Sequence, residues 1–161
     1  MHSIRRAGIE DVELIRQLAY DTWPDAYGMI LSPEQISYML QRMYSSDVLS
    51  RQMNTGHTFI IVYEDEKPVG FAGFSQKHES EAGLFRLHKL YVLPAQQGKG
   101  TGKFLLQEVI SRSKASGAHS LELNVNRHNK AIHFYKKTGF QVIKEEDIDI
   151  GEGYFMNDYV M

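Results

Sequence analysis

A glycine-rich hexapeptide near position 100 is the segment of this chain best suited to hold an anion. Gln97-Gly98-Lys99-Gly100-Thr101-Gly102 stands between an apparent strand at 84–93 and a helical stretch at 104–116. Glycines let backbone N–H groups approach a ligand without interference from a Cβ atom, and the helix that follows points its positive end at the same place. The segment therefore predicts a site for a diphosphate. The same glycines would also suit a strand-to-helix turn that binds nothing.

The spacing of these glycines excludes the two commonest nucleotide-binding loops. A P-loop needs Gly-x-x-x-x-Gly-Lys-Ser/Thr, but Gln97 stands five positions before Gly102. The next residues are Lys103 and Phe104, so no hydroxyl group is placed to hold magnesium. The dinucleotide fingerprint Gly-x-Gly-x-x-Gly, counted from Gly98, requires a glycine at position 103, where the chain has lysine.

The spacing that does fit is Gln/Arg-x-x-Gly-x-Gly, at Gln97, Gly100 and Gly102, after the apolar run Leu90-Tyr91-Val92-Leu93-Pro94. In this pattern the chain resembles the GNAT superfamily of acyl-CoA-dependent N-acetyltransferases. The equivalent loop of that family cradles the pyrophosphate of coenzyme A. The resemblance therefore implies acetyl-CoA as the anionic cosubstrate.

A second segment, residues 124–140, carries the same resemblance. It is similar to the family signature Asn-x-x-Ala-x-x-Phe-Tyr-x-x-x-Gly-Phe. One helix and one strand separate the two motifs, which is the order found in the family. The resemblance extends over residues 55–161 and, in outline, over the first fifty residues.

The resemblance implies coenzyme contacts that run from the fourth strand through the glycine loop to the helix of the second motif. These residues are Leu90, Tyr91, Val92, Gln97, Gly98, Lys99, Gly100, Thr101, Gly102, Lys103, Asn124, Asn129, Ala131 and Tyr135. Asn129 also suits a purely structural role, because asparagine is a preferred N-cap and this one precedes a helix. Lys99 and Lys103 stand in a polar loop, where lysines are usually solvated.

The reaction that the resemblance implies has definite chemical requirements. A primary amine with a pKa of about 10.4 is neutral only about once in 2,500 molecules at pH 7, and only the neutral amine attacks. The resemblance assigns the oxyanion donor to a backbone N–H near Tyr91 or Val92. The departing thiolate needs a proton, and Tyr135 matches the tyrosine that family members use for this purpose. Its alternative role is aromatic packing beside Phe134 and Phe140.

Three residues near the fourth strand are candidates for the general base: Glu79, Glu81 and His88. His88 titrates nearest to neutral pH. None of the three stands in a decisive motif, and each also suits a surface position or a satisfied polar position. Family members also pass the proton through water.

The acceptor pocket in such enzymes is built by the first two helices and the late hairpin. This directs attention to the aromatic residues Trp23, Tyr27 and Tyr38 as substrate-binding candidates. Aromatic rings beside carboxylates suit an ammonium or amine, whereas Trp23 and Tyr27 would equally suit a core. The run Glu145-Glu146-Asp147 could attract a polyamine, although a charge run usually forms a solvated edge.

The elements that position these residues follow from periodicity and from turn and capping residues. They are strand 3–6, helix 11–22, a helix with a Ser32-Pro33-x-Gln35 capping box, a helical turn at 47–53, strands 57–63, 68–75 and 84–93, helix 104–116, strand 121–126, helix 129–137, and a hairpin of strands 140–150 and 154–160. This order predicts an α/β (α+β) fold with a mixed, mostly antiparallel central sheet of about seven strands and helices on both faces. It is the GNAT layout, in one domain spanning 1–161.

The family layout includes a gap in the sheet. The fourth and fifth strands splay apart, and their unpaired backbone groups hydrogen-bond the amide-rich pantetheine arm. Here those segments would be residues 90–93 and 123–126. Exposed backbone groups must find partners, so a ligand made of amides suits such a gap.

Composition narrows the classes of function. The formal charge of −2 and pI near 6.4 argue against a nucleic-acid binder, which needs a basic field. Seven histidines without a His-x-x-x-His pair and a complete lack of cysteine give no metal site, and the cysteine count fits a reducing compartment. No apolar stretch approaches the ~18 residues of a membrane span. We therefore expect a cytoplasmic protein without a membrane partner. The family resemblance leaves a homodimer possible, since family members frequently pair as dimers, but no stretch of this sequence identifies an interface.

The favoured hypothesis is an enzyme that transfers acetyl from acetyl-CoA to an amine on a small molecule, a polyamine or a peptide N-terminus, by direct attack in a ternary complex. The first alternative is a non-catalytic acyl-CoA sensor, which would bind the coenzyme without turnover. The second is an interaction module that binds no coenzyme at all.

Overall fold

The computed structural model describes residues 1–77 and 81–161, which form seven strands and five α-helices. In chain order the elements are β1 (His2–Arg6), α1 (Val12–Tyr27), α2 (Pro33–Met43), α3 (Ser46–Asn54), β2 (Thr58–Glu64), β3 (Lys67–Gln76), β4 (Leu84–Val92), α4 (Thr101–Ala115), β5 (Ser120–Asn126), α5 (Ala131–Lys137), β6 (Lys144–Gly151) and β7 (Tyr154–Val160).

The strands form one seven-stranded sheet in the order β1-β2-β3-β4-β5-β7-β6. Five of the six neighbouring pairs are antiparallel, and the parallel pair is β4 with β5. A parallel pair needs a crossover connection, and α4 supplies it. The predicted fold class is therefore confirmed: the sheet is mixed and mostly antiparallel.

Helices cover both faces of the sheet and give it two apolar layers. One layer packs α1, α2 and α3 on the sheet around Trp23, Leu49 and Phe71, and the other packs α4 and α5 around Leu105 and Tyr135. Strand β2 serves both layers, because its residues 59–62 alternate between them and are all buried. This arrangement explains why β2 has a continuous apolar run in place of an alternating one.

Helix α1 is longer than the predicted helix, which was expected to end at Thr22. It continues through Pro24 to Tyr27, although a proline within a helix removes one hydrogen bond and costs about 3 kcal/mol. Trp23 is 1% exposed, and the Trp23 and Tyr27 ring centroids are 4.7 Å apart. Burial of the Trp23 ring offsets the local cost. The extension places Tyr27 beside β4, where its hydroxyl lies 2.8 Å from that of Tyr91.

The capping box predicted at the start of α2 is only half formed. Ser32 Oγ accepts a hydrogen bond from the Gln35 backbone N–H at 3.1 Å, as an N-cap should. The Gln35 side chain does not return to Ser32. It donates from Nε2 to the Phe155 carbonyl at 2.9 Å and so ties α2 to the late hairpin.

Three elements begin two or more residues away from their predicted starts. Helix α4 begins at Thr101, three residues earlier than expected, because its first turn is built from the glycine loop itself. Helix α5 begins at Ala131, after the capping residue Asn129. Strand β6 begins at Lys144 and not at position 140, because the ring of Phe140 packs 5.6 Å from that of Tyr135. The helical turn predicted at 47–53 is a full helix in the structure, α3.

A β-bulge interrupts β4 at its centre. Gly73 of β3 pairs with Lys89, whereas the next β3 residue, Phe74, pairs with Leu87, so His88 is an extra residue on β4. A bulge increases the local twist and re-aims the strand. Beyond this point β4 no longer pairs with β5.

Candidate active site

The sheet opens between β4 and β5, as the sequence predicted. The two strands pair through Leu87 and Leu123, and from Asn124 onward β5 pairs with β7. Residues 90–92 of β4 stay paired with β3 on their other edge. Beyond Leu87 and Leu123 the facing edges of β4 and β5 therefore do not hydrogen-bond to each other, and their backbone groups are available to a ligand.

Two cavities meet at this opening. A groove of about 1360 Å³ runs from the glycine loop between β4 and α5. A smaller cavity of about 250 Å³ lies on the other face of the sheet, beneath α1 and α2. Both are lined by Tyr27, Leu87, His88, Lys89, Tyr91 and Asn124. A ligand in the groove and a ligand in the cavity would therefore meet at the bulge of β4.

The glycine loop has the geometry of an anion site. Gly98 and Gly100 have φ values of 80° and 77°, in the left-handed region that favours glycine. Thr101 is fully buried, and its hydroxyl donates to Gln96 Oε1 at 2.8 Å, while its oxygen lies 2.9 Å from His2 Nε2. Its side chain is thus committed to the protein, and the loop offers backbone N–H groups at the N-terminus of α4.

Most residues predicted to contact the coenzyme line the larger groove. They are Leu90, Tyr91, Val92, Gln97, Gly98, Gly100, Thr101, Gly102, Lys103, Asn124, Asn129, Ala131 and Tyr135. The exception is Lys99, whose Nζ lies 3.5 Å from Glu64 Oε1 and does not line the groove. Asn129 Oδ1 accepts a hydrogen bond from the Ala131 N–H at 2.9 Å, so its capping role is realised. Its role toward a coenzyme stays a prediction.

Tyr135 lies in the wall of this groove. Its ring packs against Phe134 at 5.3 Å and Phe140 at 5.6 Å, so the predicted aromatic contacts are present. Burial raises the pKa of its phenol, and this strengthens the preference for the protonated form. Among the described residues its hydroxyl has no hydrogen-bond partner. The group is protonated and able to donate to an atom held in the groove.

The smaller cavity is lined by aromatic rings. Trp23, Tyr27 and Tyr91 pack together, and the Tyr27 and Tyr91 hydroxyl oxygens share a hydrogen bond of 2.8 Å. Trp23 and Tyr27 thus belong to both the core and the cavity wall. The third aromatic candidate, Tyr38, does not line the cavity: its hydroxyl donates to the Ile150 carbonyl at 2.7 Å, and its ring packs on Tyr154.

The three candidates for the general base have different positions. Glu79 lies outside the described residues. Glu81 is exposed in the turn before β4 and lines neither cavity. His88 lies at the bulge and lines both cavities, but its Nε2 is 2.7 Å from Ser75 Oγ and its ring stacks on His57. Burial lowers the pKa of His88 to about 3, so its imidazole is neutral at pH 7 and holds a proton weakly.

Sequence reasoning did not select Lys89, although it lines both cavities. Its side chain is 4% exposed, and Nζ donates to Gln52 Oε1 at 3.2 Å between the rings of Tyr44 and Phe59. Burial lowers its pKa to about 8. The sequence of β4 does contain a signal for this inward lysine. Apolar side chains on one face of a regular strand recur every two residues, whereas Leu87 and Leu90 are three residues apart, as expected where a bulge inserts one extra residue.

Sequence reasoning also passed over Asp158, which lines the smaller cavity from β7 and is 3% exposed. Asn124 Nδ2 donates to Asp158 Oδ2 at 3.2 Å, and Asn124 Oδ1 accepts from Arg86. These three polar side chains lie on adjacent strands of the same face. Burial raises the pKa of the Asp158 carboxyl above its ordinary value.

No group of three or more histidine, aspartate or glutamate side chains with the geometry of a metal site occurs within residues 1–77 and 81–161. Across the same residues, every helix is too short or too polar to traverse a lipid bilayer.

The fold, the opening between β4 and β5 and the glycine loop together define an acyltransferase of the GNAT type. The family model described as "Acetyltransferase (GNAT) domain" matches residues 30–153. The chain therefore belongs to the GNAT acetyltransferase family.

Individual relatives resemble the chain over most of its length. The spermidine N(1)-acetyltransferase of Thermoplasma acidophilum is 31% identical over 159 residues, which is 95% of this chain and 94% of that protein. The ribosomal protein bS18-alanine N-acetyltransferase of Haemophilus influenzae is 31% identical over 112 residues, 70% of each chain. The crystal structure of PaiA N-acetyltransferase from Thermoplasma acidophilum, in complex with coenzyme A, has a TM-score of 0.82 and 29% identity, and covers 99% of this chain and 98% of that one.

Proposed function

We propose that this enzyme transfers the acetyl group of acetyl-CoA to a primary amine of a linear polyamine, by direct attack while both substrates are bound. The observation that carries the proposal is the meeting of the two cavities at the bulge of β4. A thioester that enters along the larger groove would reach the bulge from one face of the sheet. An amine in the smaller cavity would reach the same point from the other face.

The glycine loop fits the diphosphate of coenzyme A. Apart from the adjoining residues, no described protein atom lies within 4 Å of the place where a Cβ of Gly98 or Gly100 would stand, so the space beside the loop is open to a ligand. The N–H groups that begin α4 lack partners within the helix and favour an anion. Lys103, Lys130 and Lys137 line the same groove and add positive charge near that anion.

A polyamine is supported by the character of the smaller cavity and by one relative. The faces of Trp23, Tyr27 and Tyr91 favour a cation, and Asp158 supplies negative charge. The cavity of about 250 Å³ suits the unbranched arm of such an amine. The relative that matches over 95% of this chain bears the name of a spermidine acetyltransferase.

Each chemical step has a candidate group in this chain. The acceptor nitrogen uses its lone pair to form the C–N bond, and a backbone N–H of β4 near Tyr91 or Val92 stabilises the oxyanion. The C–S bond then breaks with its electron pair on sulfur. Tyr135 donates a proton to that sulfur and regains one from the acylated nitrogen.

The proposal is tested by measuring the release of free thiol from acetyl-CoA in the presence of spermidine, spermine, putrescine and a lysine-containing peptide. We expect turnover with the polyamines, with a kcat/KM at least about tenfold above that for the peptide, since binding of a second ammonium is worth at least ~1.4 kcal/mol. Coenzyme binding without thiol release from any amine would instead identify an acyl-CoA sensor. A preference for the peptide would contradict the polyamine assignment.

A further inference from the structure

Asp158 differs from the other acidic residues near the acceptor cavity because, among the residues that the structure describes, it has no salt-bridge partner. The neighbouring carboxylates are all paired: Glu122 with Lys77 and Arg86, Glu146 with Lys144, and Glu145 and Asp147 with Arg127. Within the described residues, no lysine or arginine nitrogen lies within 4 Å of the Asp158 carboxylate. Its hydrogen bond comes from a neutral amide, Asn124 Nδ2.

A buried carboxylate without a cation is unfavourable, and a ligand cation would relieve that cost. Asp158 is 3% exposed and contributes to the wall of the acceptor cavity. One hydrogen bond leaves most of the acceptor capacity of its two oxygens unused. The cavity therefore contains a carboxylate that is able to accept hydrogen bonds from an ammonium group.

Asp158 is also close to the point where the two cavities meet. Asn124, whose Nδ2 donates to Asp158 Oδ2 at 3.2 Å, lines both cavities. Tyr27 lines both cavities and shares a hydrogen bond with Tyr91 on β4. An amine held between Asp158 and these hydroxyl groups would thus lie beside the bulge of β4.

We propose that Asp158 binds the ammonium of the acceptor and takes its proton, directly or through one water molecule. This inference rests on the proposed function. The ammonium loses one proton to the Asp158 carboxylate, and the neutral nitrogen attacks the thioester carbon. After the C–S bond breaks, the second proton of the nitrogen is transferred to sulfur through Tyr135, and Asp158 returns its proton to solvent. The products are the N-acetylated amine and the free thiol.

Several charged or titratable groups face Asp158 from the surrounding elements. These are Tyr27 on α1, Arg86, His88 and Lys89 on β4, Arg127 after β5, and Glu146 on β6. Arg86 and Arg127 favour the charged carboxylate, whereas burial and Glu146 oppose it. His88 is neutral above about pH 3, so it does not change charge in the working range of the enzyme. Lys89, whose pKa is about 8, changes charge on the alkaline side. Protonation of Asp158 should therefore limit activity on the acidic side.

The test compares Asp158→Asn with Asp65→Asn, a change in an exposed aspartate in the turn between β2 and β3 that lines neither cavity. We expect Asp158→Asn to lower kcat/KM for the polyamine by roughly 10²-fold and to remove the acidic limb of its pH profile. Calorimetric affinity for coenzyme A should stay unchanged. The unfolding temperature should not fall, because the substitution removes a buried charge. Asp65→Asn should behave as the wild type.

Asp158→Ala allows a second measurement, chemical rescue by formate, whose result would not change if Asp158 had only a structural role. If Asp158 accepts the proton, added formate should restore part of the lost rate. A loss of rate that formate does not restore would overturn the proton-accepting role, and so would an Asp158→Asn rate within twofold of the wild type. Failure of the proposed function has a different signature, because the wild-type enzyme would then bind coenzyme A and acetylate no polyamine.

Discussion

The side chains at the junction of the two cavities share one physical property: burial moves each of them toward its neutral form. The pKa is lowered in His88 and Lys89 and raised in Tyr135 and Asp158. Withdrawal from water disfavours charge whatever its sign. The same environment would lower the pKa of a bound amine, and this helps to supply the neutral nucleophile that acyl transfer requires.

The Tyr135 hydroxyl can be tested by Tyr135→Phe. Since the phenol is expected to protonate the leaving thiolate, kcat should fall by roughly 10²-fold. Coenzyme affinity measured by calorimetry should change little, because the ring still packs on Phe134 and Phe140. Tyr159→Phe, in a tyrosine of the same apolar layer that lines neither cavity, is the matched control. An unchanged kcat in Tyr135→Phe would remove this residue from the mechanism.

Lys89 should destabilise the folded protein in its charged form. Its pKa is lowered from 10.5 to about 8 by burial, so between these values the unfolded chain binds more protons and stability rises with pH. Below pH 8 the full penalty applies, about 3 kcal/mol for this shift. Lys89→Met should therefore raise the free energy of unfolding at pH 7 by about 2 kcal/mol, once the lost bond to Gln52 is subtracted.

Urea unfolding at pH 7 and at pH 9.5 measures this effect. The wild-type protein should gain stability between the two values, and Lys89→Met should show a smaller gain. A Lys89→Met variant that is less stable than the wild type at pH 7 would contradict the argument, because it would mean that the ammonium has a net stabilising partner.

At the scale of elements, the site depends on the ends and irregularities of regular structure. The start of α4 offers unpaired N–H groups, the bulge at His88 separates β4 from β5, and the extension of α1 through Pro24 brings Tyr27 to the junction. Each of these features is locally unfavourable or leaves polar groups unpaired. The packing around them compensates, and the buried ring of Trp23, one residue before Pro24 in α1, is one example.

The two ends of α4 provide a matched pair of glycines. Gly100 precedes the helix with φ 77° and Gly117 follows it with φ 97°, and neither has a protein atom within 4 Å of its would-be Cβ. Gly100→Val and Gly117→Val should therefore introduce similar backbone strain, of order 1–2 kcal/mol. Because Gly100 alone lines the groove, only Gly100→Val should weaken coenzyme A binding, by about tenfold or more.

Calorimetric titration with coenzyme A, alongside thermal unfolding, separates the two effects. Equal losses of affinity in Gly100→Val and Gly117→Val would indicate that backbone strain, and not access to the loop, governs binding. Wild-type affinity in Gly100→Val would place the diphosphate elsewhere.

At the scale of the whole molecule, the sheet separates two halves of the site, and these halves differ in how far the sequence could predict them. The coenzyme side is encoded in contiguous segments. The glycine loop and the start of α5 each consist of a few consecutive residues, so the spacing of their functional residues can be recognised in the sequence. The fold class followed in the same way, since the cap at Ser32 and the apolar run at 59–62 are local signals.

The acceptor side could not be predicted to the same degree, because its residues come from distant parts of the chain. Asp158 on β7 meets Asn124 on β5 only through strand pairing, and Lys89 is turned inward by a bulge. Tyr38 is predicted to bind the acceptor because it lies on the second helix, but its hydroxyl donates a hydrogen bond to the late hairpin. Such contacts depend on tertiary packing and leave no short motif.

The central claim is that the opening between β4 and β5 joins the two cavities into one site, and a conjugate of coenzyme A and spermidine linked through the sulfur tests it most directly. If both parts bind at once, linkage should make the calorimetric Kd of the conjugate at least about 10²-fold lower than that of coenzyme A alone. Asp158→Asn should remove much of this gain. A conjugate that binds no more tightly than coenzyme A would contradict the account.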